Sequence, residues 1–211
     1  MNQPMELSNL KLNFGANDQG FTLLELLMAT LVTTMVLITI TPPLFLAVAT
    51  RVQAQRMEQA VQFAQQNLEL VRWVMNQNPS ADQLPATVME DVRQGLPPTS
   101  FVPRCGGSGW FPCSPSEAVI TPDGQFAVQV FRNPGFSSSN GTIGGFRAGI
   151  RIYSIESQAF LGSLERQTTP LKLTSAHGSR FRNPLVAIYP EVLAGDRPGS
   201  LDAYSRYLNR P

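Results

Sequence analysis

Read for polarity alone, the chain falls into a polar head end, a long apolar run, a striped stretch and a mixed remainder. Residues 1–20 are polar and show little periodicity. From Phe21 to Thr50 almost every position is apolar, and no charged residue occurs between Glu25 and Arg51. At 1.5 Å rise per residue, about 20 such positions cross a hydrocarbon layer of roughly 30 Å, so the run predicts a membrane-crossing helix. It is too long for the apolar core of an ordinary secretory signal. Pro42-Pro43 falls late in this span; proline lacks an amide proton and clashes with the preceding turn, which predicts a kink or local unwinding there.

After Thr50 the polarity rises while a helical period persists. Met57, Val61, Ala64, Leu68, Val71 and Met75 recur at spacings of three and four, a stripe along one helical face. Glutamines at 53, 55, 59, 62, 65 and 66 lie mostly off it. The helix therefore continues over 51–77 as an amphipathic extension with one side packed on a soluble head. Asn78-Pro79 ends it, because the residue before proline is pushed out of the helical region.

Residues 78–211 carry a shorter rhythm. A short helix is predicted over Ala81–Gln94, bounded by Gly95 and Pro97-Pro98. Phe126, Val128 and Val130 alternate with Gln125, Ala127 and Gln129, the period of a half-buried strand over 125–132. Over 146–156 the alternation sets Ile150 and Ile152 against Arg147, Gly149, Arg151 and Tyr153. Between these lies a Gly-, Ser- and Asn-rich connection, 133–145, suited to joining an antiparallel pair. Leu171–Thr174 and Leu185–Tyr189 are further strand candidates, and 194–211 reads as a surface tail whose Tyr204 and Tyr207 dock. The fold class expected is α+β: one long N-terminal helix packed on a small antiparallel sheet.

Composition removes several classes of function. With 16 basic and 15 acidic residues the net charge is +1, so no general field draws the chain to nucleic acid or acidic lipid. Two cysteines, Cys105 and Cys113, are too few for a disulfide framework or a four-ligand zinc site. The single histidine, His177, sits among small turn-forming residues, and no sequence element supplies it with an acid partner, so no catalytic constellation is expected. Gly106-Gly107-Ser108-Gly109 lacks the lysine and the strand–helix context of a phosphate cradle. The carboxylates are scattered: Asp123 precedes Gly124 as a turn residue, while Glu191, Asp196 and Asp202 lie near the C-terminus; their spacing matches no calcium hand, and neither metal nor cofactor is expected. Trp110 and Phe111 read either as core anchors or as an exposed tip.

One stretch carries specific chemistry. Glu25 places a carboxylate where the hydrocarbon would begin, at a cost of a few kcal/mol unless it is paired. Gly20-Phe21-Thr22-Leu23-Leu24-Glu25-Leu26-Leu27, with Pro42 further along the apolar helix, resembles the N-terminal signature of type IV pilins and of the pseudopilins of type II secretion. The likeness is close over 20–50 and compatible along the helix to 77. It implies a leader, 1–20, cut by a prepilin peptidase between Gly20 and Phe21, with N-methylation of Phe21. Cleavage would leave Phe21 a free α-amine, cationic at neutral pH, which could meet Glu25 of a neighbouring subunit during assembly. The resemblance also assigns Pro42 as a helix-bending proline.

The leader departs from the family in charge: Lys11 is its one basic side chain, opposed by Glu6 and Asp18, and Arg51 and Arg56 lie beyond the span, against the usual orientation bias. Translation could begin at Met1 or Met5. The partners implied are the prepilin peptidase, other pilin or pseudopilin subunits, an inner-membrane assembly platform and the lipid bilayer. The location implied is the bacterial inner membrane, single-pass, with a periplasmic head, and then a filament. In a head so exported, Cys105 and Cys113 are expected to form a disulfide that braces a small loop. A reading from another class is a membrane-anchored protein whose head captures a surface ligand, polysaccharide or DNA without assembling.

Overall fold

A computed structural model describes residues 22–88, 91–105, 114–137, 142–168, 181–195 and 200–208. Helix α1 spans Leu23–Asn76, and the chain divides into two units, Met1–Arg51 and Val52–Pro211. In the first unit the described residues are helical from Leu23 onward, and every one is exposed. The helical assignment runs uninterrupted through Pro42 and Pro43, so the local unwinding expected at this pair is not seen.

In the second unit α1 ends as its sequence dictates. Asn78 adopts a left-handed backbone, φ 56°, just past the last turn, and Pro79 follows, the usual stop for a helix. The packed face of this part carries Ala60, Ala64, Val71, Val74 and Met75, all buried. The predicted stripe thus fails at one position: Val61 is exposed, and Ala60 beside it takes the contact. Alanine on this face lets the helix backbone approach the sheet closely.

Among the described residues the sheet has seven strands: β1 (Ser100–Val102), β2 (Glu117–Ile120), β3 (Phe126–Arg132), β4 (Phe136–Ser137), β5 (Ile143–Ser154), β6 (Val186–Ile188) and β7 (Glu191–Leu193). All pairings are antiparallel except β1 with β2, which run parallel, so the sheet is mixed where an antiparallel one was expected. The reason is connectivity: residues 103–116 separate β1 from β2, room for a crossover instead of a tight hairpin. By contrast β2 and β3 form a hairpin closed by Thr121-Pro122-Asp123-Gly124. Asp123 Oδ1 accepts the Gln125 N–H at 3.1 Å and the Thr121 hydroxyl, confirming it as a turn residue.

Strand β5 is the axis of the sheet. Its C-terminal half pairs with β3 on one edge and β6 on the other, and its N-terminal half pairs with β4 and β7. Both neighbours break opposite the same point, at Asn133-Pro134-Gly135 and at Tyr189-Pro190. Two bonds bridge the breaks: Asn133 N–H to Arg147 O at 3.1 Å, and Ala148 N–H to Pro190 O at 2.9 Å. Gly135, φ 70°, is required here, since a Cβ would lie 2.1 Å from Gly145 O.

Alternation along β3 and β5 follows the predicted register, but both faces are buried. Phe126, Val128, Val130, Phe146, Ala148, Ile150 and Ile152 face α1. Each such branched or aromatic side chain contributes about 1.5–3 kcal/mol when fully buried. The opposite face is covered by the irregular segments before β1 and after β5, with Ala127 and Tyr153 packed against Phe101, Ala118 and Leu164. The Tyr153 hydroxyl donates to Glu165 O at 3.0 Å, and burial pushes it well above the usual phenol range.

Among the described residues of 81–94 no α-helix forms. Two 3-10 turns, Ala81–Gln83 and Val92–Gln94, flank Pro85, which cannot continue a helix. The connection 133–145 contains β4, and the C-terminal tail contains a helix, α2 (Ser200–Leu208). The expected docking of that tail is observed: Phe136 lies 5.9 Å from the Tyr204 ring and 5.3 Å from the Tyr207 ring. The strand candidate Leu171–Thr174 lies outside the described residues.

Candidate functional site

The site is the exposed apolar half of α1 and the turn that opens it. Thr22 stands just before the helix, and its Oγ1 accepts the Glu25 N–H at 3.3 Å. Its carbonyl accepts the N–H groups of Glu25 and Leu26 at 2.9 and 3.1 Å. Thr22 is therefore the N-cap, and Glu25 occupies the third helical position, where a negative charge also complements the helix dipole. The sequence already contained this signal, because Thr-x-x-Glu before an apolar run is a capping-box pattern. Reading Glu25 only as a misplaced charge missed Thr22. Gly20 and Phe21, the expected cleavage and methylation positions, lie outside the described residues.

From Leu23 to Thr50 the helix presents leucine, isoleucine, valine, methionine and phenylalanine with no partner among the described residues, Leu23 being 78% and Phe45 71% exposed. One helix of this chain, near its N-terminus, is long and apolar enough to cross a membrane. Apart from Glu25 the polar side chains of this apolar segment are threonines, and these bond to their own helix. Thr30, Thr33, Thr34, Thr39, Thr41 and Thr50 each donate the hydroxyl to a carbonyl three or four residues earlier, at 2.5–3.0 Å. Side-chain hydroxyls that find partners within their own helix cost little in hydrocarbon. Leu37, Ile38, Thr41, Pro42 and Phe45 line a shallow apolar notch on the surface of this segment.

The other residues singled out by the sequence do not gather into a site. Asp123 closes a hairpin, as described. Glu191 pairs with Arg147 at 2.5 Å and accepts the Tyr204 hydroxyl at 3.1 Å, fastening α2 to the sheet. The Arg147 guanidinium, then Tyr204, hold the Glu191 carboxyl below its usual range, and Glu191 in turn raises the Tyr204 hydroxyl. His177, Asp196, Trp110, Phe111, Gly106–Gly109 and Cys113 lie outside the described residues, and with Cys113 so does the proposed Cys105–Cys113 pairing; among the described residues no cysteine is free. No cluster of three or more histidine, cysteine, aspartate or glutamate side chains that could hold a metal occurs among the described residues.

Two buried arginines escaped the sequence reading. Arg151 is fully buried on the sheet face away from α1 and has no carboxylate partner among the described residues. Its guanidinium donates to Gly95 O at 2.7 Å, Arg93 O at 3.1 Å and the Tyr189 hydroxyl at 3.1 Å, and lies 4.8 Å from the Phe131 ring centroid. Arg132 donates to Pro85 O at 2.9 Å, and burial lowers its pKa. Arg151 ties the irregular layer over the sheet to its central strands, while Arg132, stacked on Phe146, ties the segment at Pro85 to the end of β3. No protein-family model, no curated protein and no solved structure matches the chain.

Proposed function

We propose that this chain is a structural subunit, a minor pilin or pseudopilin, of a type IV pilus or type II secretion-like filament. The observation that carries the reading is the apolar segment Leu23–Thr50: exposed along its whole length, internally satisfied, and opened by a capped turn holding its one acid, Glu25. Such a helix needs a lipid or protein partner to cover it. A prepilin peptidase removes residues 1–20, an inner-membrane platform receives the mature chain, and the helices of neighbouring subunits pack together. Phe21 becomes the methylated N-terminus, and its amine pairs with Glu25 of the preceding subunit. The head, fastened on the far half of α1, is displayed on the fibre surface, braced by the Cys105–Cys113 disulfide.

The mass of the membrane-extracted protein tests this reading. The expected chain begins at Phe21 with one added methyl group, and Gly20→Ala should block the cut. A wild-type protein that still begins at Met1 or Met5 would sink the proposal and favour an anchored binding protein.

A further inference from the structure

We infer that a groove at the end of the head where α1 enters the sheet binds the zwitterionic headgroup of an aminophospholipid, with its phosphate on Arg56 and its primary ammonium on Glu156. The groove encloses about 310 Å³ and is lined by Arg56, Gly124, Gln125, Phe126, Ser154 and Glu156, with Ile155 beside them. It lies near the start of the packed face of α1, where Ala60 is buried and the Phe63 ring stands 5.6 Å from that of Phe126. Only two of its lining residues are charged, and they are opposite in sign. A lone anion would meet Glu156 and a lone cation would meet Arg56, whereas a ligand carrying both charges satisfies both.

The existing ion pair is easily opened. Arg56 Nη1 and Glu156 Oε1 are 3.4 Å apart, longer than a strong charge-assisted bond, and the two side chains are 53% and 43% exposed. Exposed pairs of this kind contribute little to stability. Gln125 and Ser154 add neutral hydrogen-bonding side chains that have no side-chain partner among the described residues. The source of the ligand follows from the position of Arg56 in α1, shortly after the apolar run ends at Thr50. Polar headgroups occupy the layer just outside the hydrocarbon. This step rests on the membrane reading of that run. A primary ammonium donates hydrogen bonds to a carboxylate, which a trimethylammonium cannot do, so ethanolamine headgroups are favoured over choline.

The test uses the full chain reconstituted in vesicles of equimolar phosphatidylethanolamine and phosphatidylcholine. Phospholipid retained after mild extraction is counted by mass spectrometry. Wild type should retain ethanolamine lipid with about a threefold preference, the scale of one exposed ion pair. Glu156→Gln should bring the ratio to parity, Glu156→Asp should restore the preference, and Arg56→Gln should lose the retained lipid of both kinds. Soluble phosphoethanolamine should displace the bound lipid; failure to compete would overturn recognition through the headgroup. Equal retention by wild type, or a preference that survives Glu156→Gln, overturns the groove assignment alone. Release of the protein from the vesicles by alkaline carbonate overturns the membrane reading and this inference with it.

Discussion

Arg151 shows how far a single residue can depart from what its type suggests. Alternation along β5 correctly placed it beside Tyr153 and Gly149, away from Ile150 and Ile152, but a charged residue on a strand facing away from the helix reads as solvated. The carbonyls that make burial possible, at Arg93, Gly95 and Leu96, come from an irregular segment with no periodicity to reveal where it lies. Gly149 completes the arrangement: a Cβ there would sit 2.4 Å from the Phe131 ring on which the guanidinium rests. Replacing Arg151 by Met strands those carbonyls and the Tyr189 hydroxyl, and should destabilise the head by about 3 kcal/mol. Arg147→Met, at a pair about 40% exposed, should cost less than about 1 kcal/mol. Denaturant unfolding of the full chain in detergent distinguishes the two, and equal effects would refute the role given to Arg151.

Among the elements, long periodic ones were legible and short ones were not. The helix, β3 and β5 follow from period alone, whereas β1, β6 and β7 have three residues each, and β4 has two, too few for any period to register. Pro85, visible in the sequence, was reason enough to doubt a helix over 81–94. The predicted face of α1 holds at Met57, Ala64, Leu68, Val71 and Met75 and fails at one position, because Val61 outranks Ala60 in hydrophobicity while close approach to the sheet demands the smaller side chain. Ala64→Leu should therefore overpack and lower stability by about 1–3 kcal/mol, while Val61→Leu should change it by less than about 0.5 kcal/mol. Thermal unfolding of both variants checks this departure; an equal loss at Val61 would contradict it. Helix α2 adds a dependence on acidity. Glu191 has its carboxyl pKa depressed, so its contribution is present above the ordinary glutamate value of 4.5 and is lost as pH falls below that through its folded value. With the pair this exposed, the loss should be on the order of 0.5 kcal/mol. Fluorescence of Tyr204 and Tyr207 should report loosening of α2 in acid, a change that Glu191→Gln should abolish.

At the scale of the whole molecule, the sequence carried the plan: an apolar helix that continues into a striped one, and a mixed helical and strand-forming remainder. It did not carry the second covering layer of the sheet, which is built from loops held by Arg151 and Tyr153, because loops announce turns and not destinations. The threonines of the apolar helix have a further consequence. Since their hydroxyls are already spent on their own backbone, the side chains of the segment beyond Glu25 carry their hydrogen-bonding requirement with them. For the stretch beyond Glu25, a move from acyl chains to the interior of a helical bundle would then break no threonine hydrogen bond and require no new one. The transfer between these two apolar solvents becomes nearly neutral, decided by how well side chains mesh. Such a segment can exchange one environment for the other in either direction, which suits a part that is stored in one place and used in another.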